Sequence, residues 1–385
     1  MAIASYASDS ALDRRVWSRK TQIKMNNRLF FRKTGMEVDA TGSKGIPDED
    51  LSMPVVRYDD LSEGKNGARI RIPWVNQLTG AGKTTNDALE GNEEAIRFGY
   101  FDVIIDRLRH ATGYEGVLSE IRNQDLNPDT AKMLLMNWAI QRREEGCWNA
   151  LYKGASAHLI TATHYTATDH PNTYYYDNSG AVEGVEGLTA DVHKMDTEVL
   201  EAIIERYEDS TNPIPYVDID GEEMGVVVIH TKQARSLRQD TRFMQMQRDI
   251  YERTSSDGKQ HPLHQNAKFR YMNLLIYVSN RVYTGAQAGL TNGTSGEYGA
   301  LLLGPRAIGC ANGGFPNGMG TGEGGPGYDD LGNIATKYVY SDDTDYENKV
   351  KIGIDMMWAD VRADFTKEAG GTINESSAIF WTKEA

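Results

Sequence analysis

At 385 residues, with 39% hydrophobic and 25% charged side chains, the chain can bury a substantial core, and its composition excludes wholesale disorder. A net charge of −14 argues against the basic footprint that sequence-specific DNA binding needs. No run approaches the ~18 consecutive apolar residues of a membrane span, so no membrane partner is expected. The first residues lack the apolar stretch of a secretory signal. The only cysteines, Cys147 and Cys310, are far apart in sequence and have no metal-ligand spacing. They fit a reducing compartment and no structural disulfide.

The charge is unevenly spread. Arg14, Arg15, Arg19, Lys20, Lys24, Arg28, Arg32 and Lys33 face only Asp9 and Asp13 in residues 1–35, a balance of +6 that leaves −20 for the remainder. Two readings stand: a basic arm docking on an acidic sister subunit or on nucleic acid, or a solvated helical face. Residues 8–33 have the spacing of an amphipathic helix, with Leu12, Val16, Ile23 and Leu29 on one side. Residues 34–66 carry Gly42, Gly45, Pro47, Pro54 and Gly64 and read as an extended connector.

Residues 67–112 read as a long two-stranded ribbon. Ala68–Val75 alternates apolar or small side chains with Arg69 and Arg71, and Ile96–Leu108 returns the same way through Phe98, Tyr100, Val103 and Ile105. Between them lies a Gly/Thr/Asn-rich tip. A lone two-stranded ribbon is marginal in water, so this one is expected to lie on something else, most naturally another copy of the chain.

The clearest helix follows. Asn127 is a good N-cap, Pro128 suits the first helical position, and apolar residues recur at helical spacing through Ala131, Leu134, Leu135, Trp138, Trp148, Leu151 and Tyr152 until Gly154. Residues 155–190 read as loops. A helix is expected over about 191–209, a buried strand over Gly225–His230, a helix over Ala234–Tyr251, and strands at Asn273–Val278 and Ala300–Leu303. Gly304–Gly327 reads as a glycine-dense loop. Lys349–Phe365 alternates like a long strand.

The chemical motifs are weak. Gly80–Thr85 suggests a phosphate loop, but the required glycine five positions before Gly82 is Gln77, and a strand follows instead of a helix. His261 and His264 with Asp249 and Asp257 lack a convincing metal geometry, and Asp218–Glu223 is only part of a calcium loop. Both read as polar turns. His230 reads as a structural residue at a strand end, and Met133, Met136, Met244, Met246, Met356 and Met357 as core packing. No catalytic residue, cofactor site or metal site is assigned, and that points to a structural protein.

Three blocks then become informative together. Leu78–Gly82, Leu89–Glu94 and Ile105–His110 closely resemble the N-four-like family of tailed-phage major capsid proteins. Looser likenesses are Ser119–Arg122, Val228–Arg238, Ala300–Gly304 and Asp345–Lys349. The resemblance implies an α+β Hong Kong 97-type capsid fold and no enzymatic activity. It implies an N-terminal arm and connector (1–66), an E-loop β-ribbon (67–112) and a peripheral domain with a spine helix (113–190, helix 127–153). A mainly axial domain (191–334) and a return strand with the C-terminus (335–385) would follow. Copies would assemble into pentamers and hexamers of a shell around a double-stranded DNA genome, without sequence-specific contacts. A separate scaffold, a portal and decoration proteins would be its partners, assembly would occur in the host cytoplasm, and the product would be the virion. Expected inter-subunit contacts are Arg14, Arg15, Arg19, Lys20, Arg69, Arg71, Lys83, Glu90, Glu93, Glu94, Arg97, Arg107 and Arg109. The competing expectations are an encapsulin-like shell, a nucleotide-dependent enzyme using Gly80–Thr85, and a monomeric binding protein.

Overall fold

The computed structural model describes residues 24, 28–39, 53–58, 68–75, 98–115, 128–175, 193–208, 213–219, 221–253, 266–289, 296–313, 334–340, 349–366, 372–374 and 376–384. Its first complete elements are a short helix α1 (Phe30–Thr34) and strands β1 (Glu37–Asp39) and β2 (Val55–Tyr58). The expected helix over 8–33 therefore does not run through unbroken. Leu29 has extended backbone, with φ −63° and ψ 132°, and its buried side chain packs with residues of the long helix. The expected connector also contributes two strands, because Val55 and Val56 are fully buried.

The ribbon is β3 (Arg69–Val75) and β4 (Phe98–Ile104), and β5 (Asp106–Glu115) follows directly. Helix α2 (Pro128–Lys153) has the bounds its sequence announces. Within the region expected to be loops lie α3 (Ala157–Thr161) and β6 (Thr173–Tyr175). Then come α4 (Thr197–Glu208), the hairpin β7 (Val217–Ile219) and β8 (Glu222–Ile229), and helices α5 (Thr231–Gln239) and α6 (Thr241–Arg253). The single helix expected over Ala234–Tyr251 is broken at Asp240, whose extended backbone (ψ 123°) interrupts it. Its carboxylate accepts from the Arg242 and Thr197 amides at 3.0 and 2.9 Å, so it satisfies the first N–H groups of two helices. Strands β9 (Phe269–Tyr271) and β10 (Leu274–Val278), helix α7 (Gly285–Ala288) and strands β11 (Glu297–Leu303) and β12 (Ile308–Asn312) follow. The chain continues through β13 (Ile334–Tyr340), β14 (Lys349–Arg362), the small pair β15 (Phe365–Thr366) and β16 (Thr372–Ile373), and β17 (Ser377–Lys383).

Among the described residues these strands form two principal sheets. One has six strands, in the order β1-β2-β12-β14-β13 with β5 also on β14. The other has seven, in the order β6-β17-β11-β8-β10-β9 with β7 on β8. The glycine-dense segment was expected to be a loop, but its start is β12, paired on both edges by β2 and β14. The end of the chain is divided: β14 belongs to the six-stranded sheet and β17 to the seven-stranded one.

Period-2 alternation in the seven-stranded sheet feeds two separate cores. Val226 and Val228, Leu301 and Leu303, Leu275 and Tyr277, and Ile379 and Trp381 point to one side. Val227 and Ile229, Ala300 and Leu302, Leu274 and Ile276, and Ala378 and Phe380 point to the other, under α4, α5 and α6. A strand buried on both faces needs apolar residues throughout, which explains the uninterrupted Val-Val-Val-Ile run. Each such side chain stabilises the fold by roughly 1.5–3 kcal/mol.

Helix α2 joins the sheets. Its first half packs Leu135, Met136, Ala139 and Ile140 on Ile352, Ile354, Met356 and Trp358 of β14. Its second half sends Cys147, Trp148, Leu151 and Tyr152 into the core shared with the seven-stranded sheet. Gly154, at φ +88°, ends it. The buried Arg362 guanidinium donates to the Leu151 carbonyl at 3.0 Å, placing a cation at the negative end of the helix dipole. Gly146 lets helix and strand meet: a Cβ there would lie 2.5 Å from Asp360 Oδ2 and 3.0 Å from Ser156 Oγ. Gly146→Ala gains about 1 kcal/mol of helix propensity but drives a methyl into a carboxylate held by Ser156 and Trp358. Overpacking of that kind costs about 1–3 kcal/mol. The variant is expected to melt at lower temperature than the parent in a thermal scan of the unassembled subunit; an equal or higher melting temperature would contradict this packing.

Candidate assembly surfaces

The ribbon has two unlike faces. Its register runs from Arg69↔Ile104 to Val75↔Phe98. On the inner face, Ile72 and Val103 are buried with Ala311, Ala359, Val361, Ala155 and Leu159. Gly309 of β12 makes room for them, since a Cβ there would stand 3.1 Å from Phe101 and 3.2 Å from Ile72. The base of the ribbon thus rests on the chain's own core, against the expectation that it lies on another copy. The return limb also ends earlier than expected: β4 stops at Ile104, and Asp106–Glu115 pairs with β14 as part of the six-stranded sheet.

Tyr165 pins this base. Its hydroxyl donates to the Asp102 carbonyl at 2.6 Å and accepts from the Ile104 amide at 2.9 Å. Burial pushes its pKa up to about 12, so the proton stays. Tyr165→Phe leaves a half-buried N–H and C=O without this partner, at a cost of roughly 1–3 kcal/mol. Hydrogen exchange of the Ile104 amide is expected to quicken by about tenfold or more in that variant; unchanged exchange would remove the clamp from the argument.

The outer face is polar and exposed. Arg71 grips Asp102 through Nε at 2.8 Å and Nη2 at 3.2 Å, and its guanidinium lies 3.8 Å over the Tyr100 ring. Arg69 approaches the same carboxylate at 3.5 Å. The Arg71 hydrogen bond holds Asp102 below the usual carboxylate range. Arg107 binds Asp355 of β14 with two Nε contacts of 2.8 Å, and Arg109 is exposed on the same strand. So three of the arginines expected to pair with a neighbour, Arg69, Arg71 and Arg107, already have an intrachain carboxylate. The other expected contacts, Arg14, Arg15, Arg19, Lys20, Lys83, Glu90, Glu93, Glu94 and Arg97, lie outside the described residues, as do Gly80–Thr85, Asp257, His261 and His264.

Sequence reasoning put Met133 and Leu134 in the core, yet they are 51% and 59% exposed. The signal was present: Met133, Leu134, Leu135 and Met136 are consecutive, and residues 100° apart on a helix cannot all face one way. Two face inward with β14, and two are left on the surface. His230 is structural, as expected. Its Nδ1 accepts from the Lys232 amide at 3.2 Å in a capping box with Gln233, and its ring stacks on Tyr298 at 4.1 Å. Asp218 and Glu223 are paired across the β7–β8 hairpin, and Asp218 Oδ1 accepts from the Gly221 amide at 2.9 Å.

The chain concentrates its buried charge behind the ribbon. Arg143 of α2 donates to Asn312 Oδ1 at 2.9 Å and lies 3.6 Å from Asp360 Oδ1. Asp360 Oδ2 accepts from Ser156 Oγ at 3.2 Å and Trp358 Nε1 at 3.1 Å. Glu37 pairs with Arg57 beside them, and burial raises the Glu37 pKa despite that partner. Cys147 and Cys310, remote in sequence, meet here: their sulfurs and an Asp360 oxygen lie within 4.8 Å of one another.

One buried and one half-buried histidine give the fold a pH dependence. His170 Nδ1 accepts from the Asn172 amide at 3.1 Å while Nε2 meets Ser377 Oγ at 2.9 Å, and burial, then Arg362, hold its pKa well below the ordinary value. Burial also lowers His158, which meets the Trp358 carbonyl at 3.0 Å. Below the ordinary histidine value near 6.5 the unfolded chain binds protons that the fold refuses, so stability falls as pH drops from about 7 to 5.5. Glu37 acts oppositely, but only as pH falls through its raised carboxyl pKa. His170→Gln keeps the reach to Ser377 without titrating. Its melting temperature is expected to fall less steeply with acidification; identical slopes would rule out His170 as a source.

Comparisons with known proteins place the chain in a family. A profile of the family described as "Phage capsid protein" matches residues 17–379. The major capsid protein of Pseudomonas phage KPP25 is 25% identical over 290 residues, covering 69% of this chain and 76% of that protein. The capsid of Ralstonia phage GP4 superposes with a TM-score of 0.63 at 19% identity, covering 93% of this chain and 92% of that one. The cyanophage Pam1 capsid also scores 0.63, at 15% identity and with 86% and 89% covered. The chain belongs to the phage capsid protein family, a structural family and not one of enzymes, and has its Hong Kong 97-type fold.

Proposed function

We propose that this virion component is the major head subunit of a tailed phage, assembling into pentamers and hexamers that tile a closed shell around double-stranded DNA. The observation that carries the mechanism is the ribbon base, fixed by Ile72, Val103 and Tyr165 to the chain's own core while its outer face stays polar. A ribbon held rigidly at its root can present residues 76–97 to a neighbour without the ordering cost of a free arm. Arg71 uses two of its five donors on Asp102, so its remaining donors, with Arg109, are available to a neighbour's carboxylates. The basic residues 1–35 would complement the −20 body of adjacent copies. In this reading the six-stranded sheet with α2 is the peripheral region, and the seven-stranded sheet with α4–α6 is the axial one.

Many modest contacts repeated around closed rings would hold such a shell, not one tight interface. Scaffold, portal and decoration proteins would act on it during assembly in the host cytoplasm, and the genome would be held without sequence-specific contacts. Removing residues 79–91 tests the mechanism. The expected product is a soluble, folded subunit with unchanged circular dichroism that forms no closed shells in negative-stain micrographs. Shells of normal size from that deletion would overturn it. Shells of the intact chain filled with protein instead of DNA would favour the encapsulin-type alternative.

A further inference from the structure

Helix α2 and strand β12 bring the chain's two cysteines together in a fully packed interior. Their sulfurs lie within 4.8 Å, and the Cys310 thiol hydrogen-bonds to Cys147. That hydrogen bond favours a thiolate at Cys147, and Arg143, one turn before it on the same helix, adds to this. Burial, Asp360 and Glu37 oppose it and hold the Cys147 thiol above its ordinary value; the same hydrogen bond, with burial, holds Cys310 well above its own. The same groups could suggest a metal site. Asp360, however, already has its counter-cation: Oδ1 faces Arg143 Nη2 at 3.6 Å, and Oδ2 is occupied by Ser156 and Trp358. Two thiols alone do not make the four-ligand set of a structural zinc.

We propose that Cys147 and Cys310 form an oxidation site, at which a small peroxide-class oxidant makes an intrachain disulfide between the spine helix and the strand beneath it. The pair is out of reach of a bulky disulfide oxidant, whereas hydrogen peroxide is small and uncharged. The Cys147 sulfur, giving up its proton in the same step, attacks one peroxide oxygen and the O–O bond breaks. Cys147 becomes a sulfenic acid, and the departing hydroxide takes the thiol proton to leave as water. The Cys310 sulfur then attacks the Cys147 sulfur, the S–O bond breaks, and the hydroxyl leaves with the Cys310 proton as a second water. Overall, two thiols and one peroxide give one disulfide and two waters. The bond would close a loop of about 160 residues, a length at which a crosslink strongly restricts the unfolded chain.

The test uses the full-length folded protein. After exposure to hydrogen peroxide, removal of the oxidant, denaturation and alkylation with iodoacetamide, the intact mass is expected to be lower by two hydrogens and to carry no alkyl group. The melting temperature should rise by several degrees and return to its starting value with reductant. In Cys310→Ser the second step is missing, so dimedone present during denaturation should trap a sulfenic acid on Cys147. The proposal is overturned if oxidised wild-type chain takes two alkyl groups, or if dimedone labels wild-type Cys147 as fully as it labels the variant. Zinc co-purifying in equal amount with the chain and protecting both thiols would also overturn it, assigning them to a metal. The wild-type mass alone decides the matter should the variant fail to fold.

Discussion

Everything in this subunit depends on how closely α2 can approach β14. The contact is set at Gly146, where the missing side chain leaves room for the Asp360 carboxylate. A buried carboxylate is expensive unless it is paired and hydrogen-bonded. Here Arg143, Ser156 and Trp358 supply those partners, from the helix itself, the turn after it and the strand below. Replacing the pair by apolar residues need not destabilise the fold, but removing one member would strand a buried charge. The cluster therefore fixes register: only one sliding position of helix on strand puts Arg143, Gly146 and Asp360 together. Arg362 repeats the logic at the helix end, donating to the Leu151 carbonyl and to Asp364.

That register passes outward to the ribbon. Ala359 and Val361, neighbours of Asp360 on β14, form the floor on which Ile72 and Val103 sit. Tyr165, in the turn after α3, closes over the ribbon from the side. A displaced spine helix would move the floor, the clamp and the ribbon root together. The long helix thus ties the sheet beneath the ribbon to the core shared with the seven-stranded sheet.

Where period and capping are strong, the sequence was legible. The α2 bounds follow from Pro128 and Gly154, the strands β8 and β10 from their apolar runs, and β14 from its alternation. The misses have physical causes. β12 is hidden because Gly309 and Gly313 read as loop residues, although they are needed for close contact with Phe101, Ile72 and Ile105. The short β1 and β2 are too brief for any period to show; β2 becomes a strand because β12 is there to pair with, and β1 by pairing with β2. The break at Asp240 was invisible because Thr197, far away in sequence, holds the carboxylate. On the ribbon, the alternation was readable but the arginines' partners were not. Asp102 sits across the hairpin and Asp355 on a strand far along the chain.

The corrected ribbon changes what assembly requires. An arm lying wholly on a neighbour would be disordered in the free subunit and would lose much conformational entropy on docking. A ribbon whose root is held by Ile72, Val103 and the Tyr165 clamp has already lost the entropy of that root when the chain folds. Even the arginine pairs contribute in this way. Arg71, held by Asp102 and stacked on Tyr100, presents a fixed guanidinium edge instead of a mobile cation. In the proposed assembly, weaker contacts would then close a ring, because the root of the ribbon is fixed before a neighbour docks.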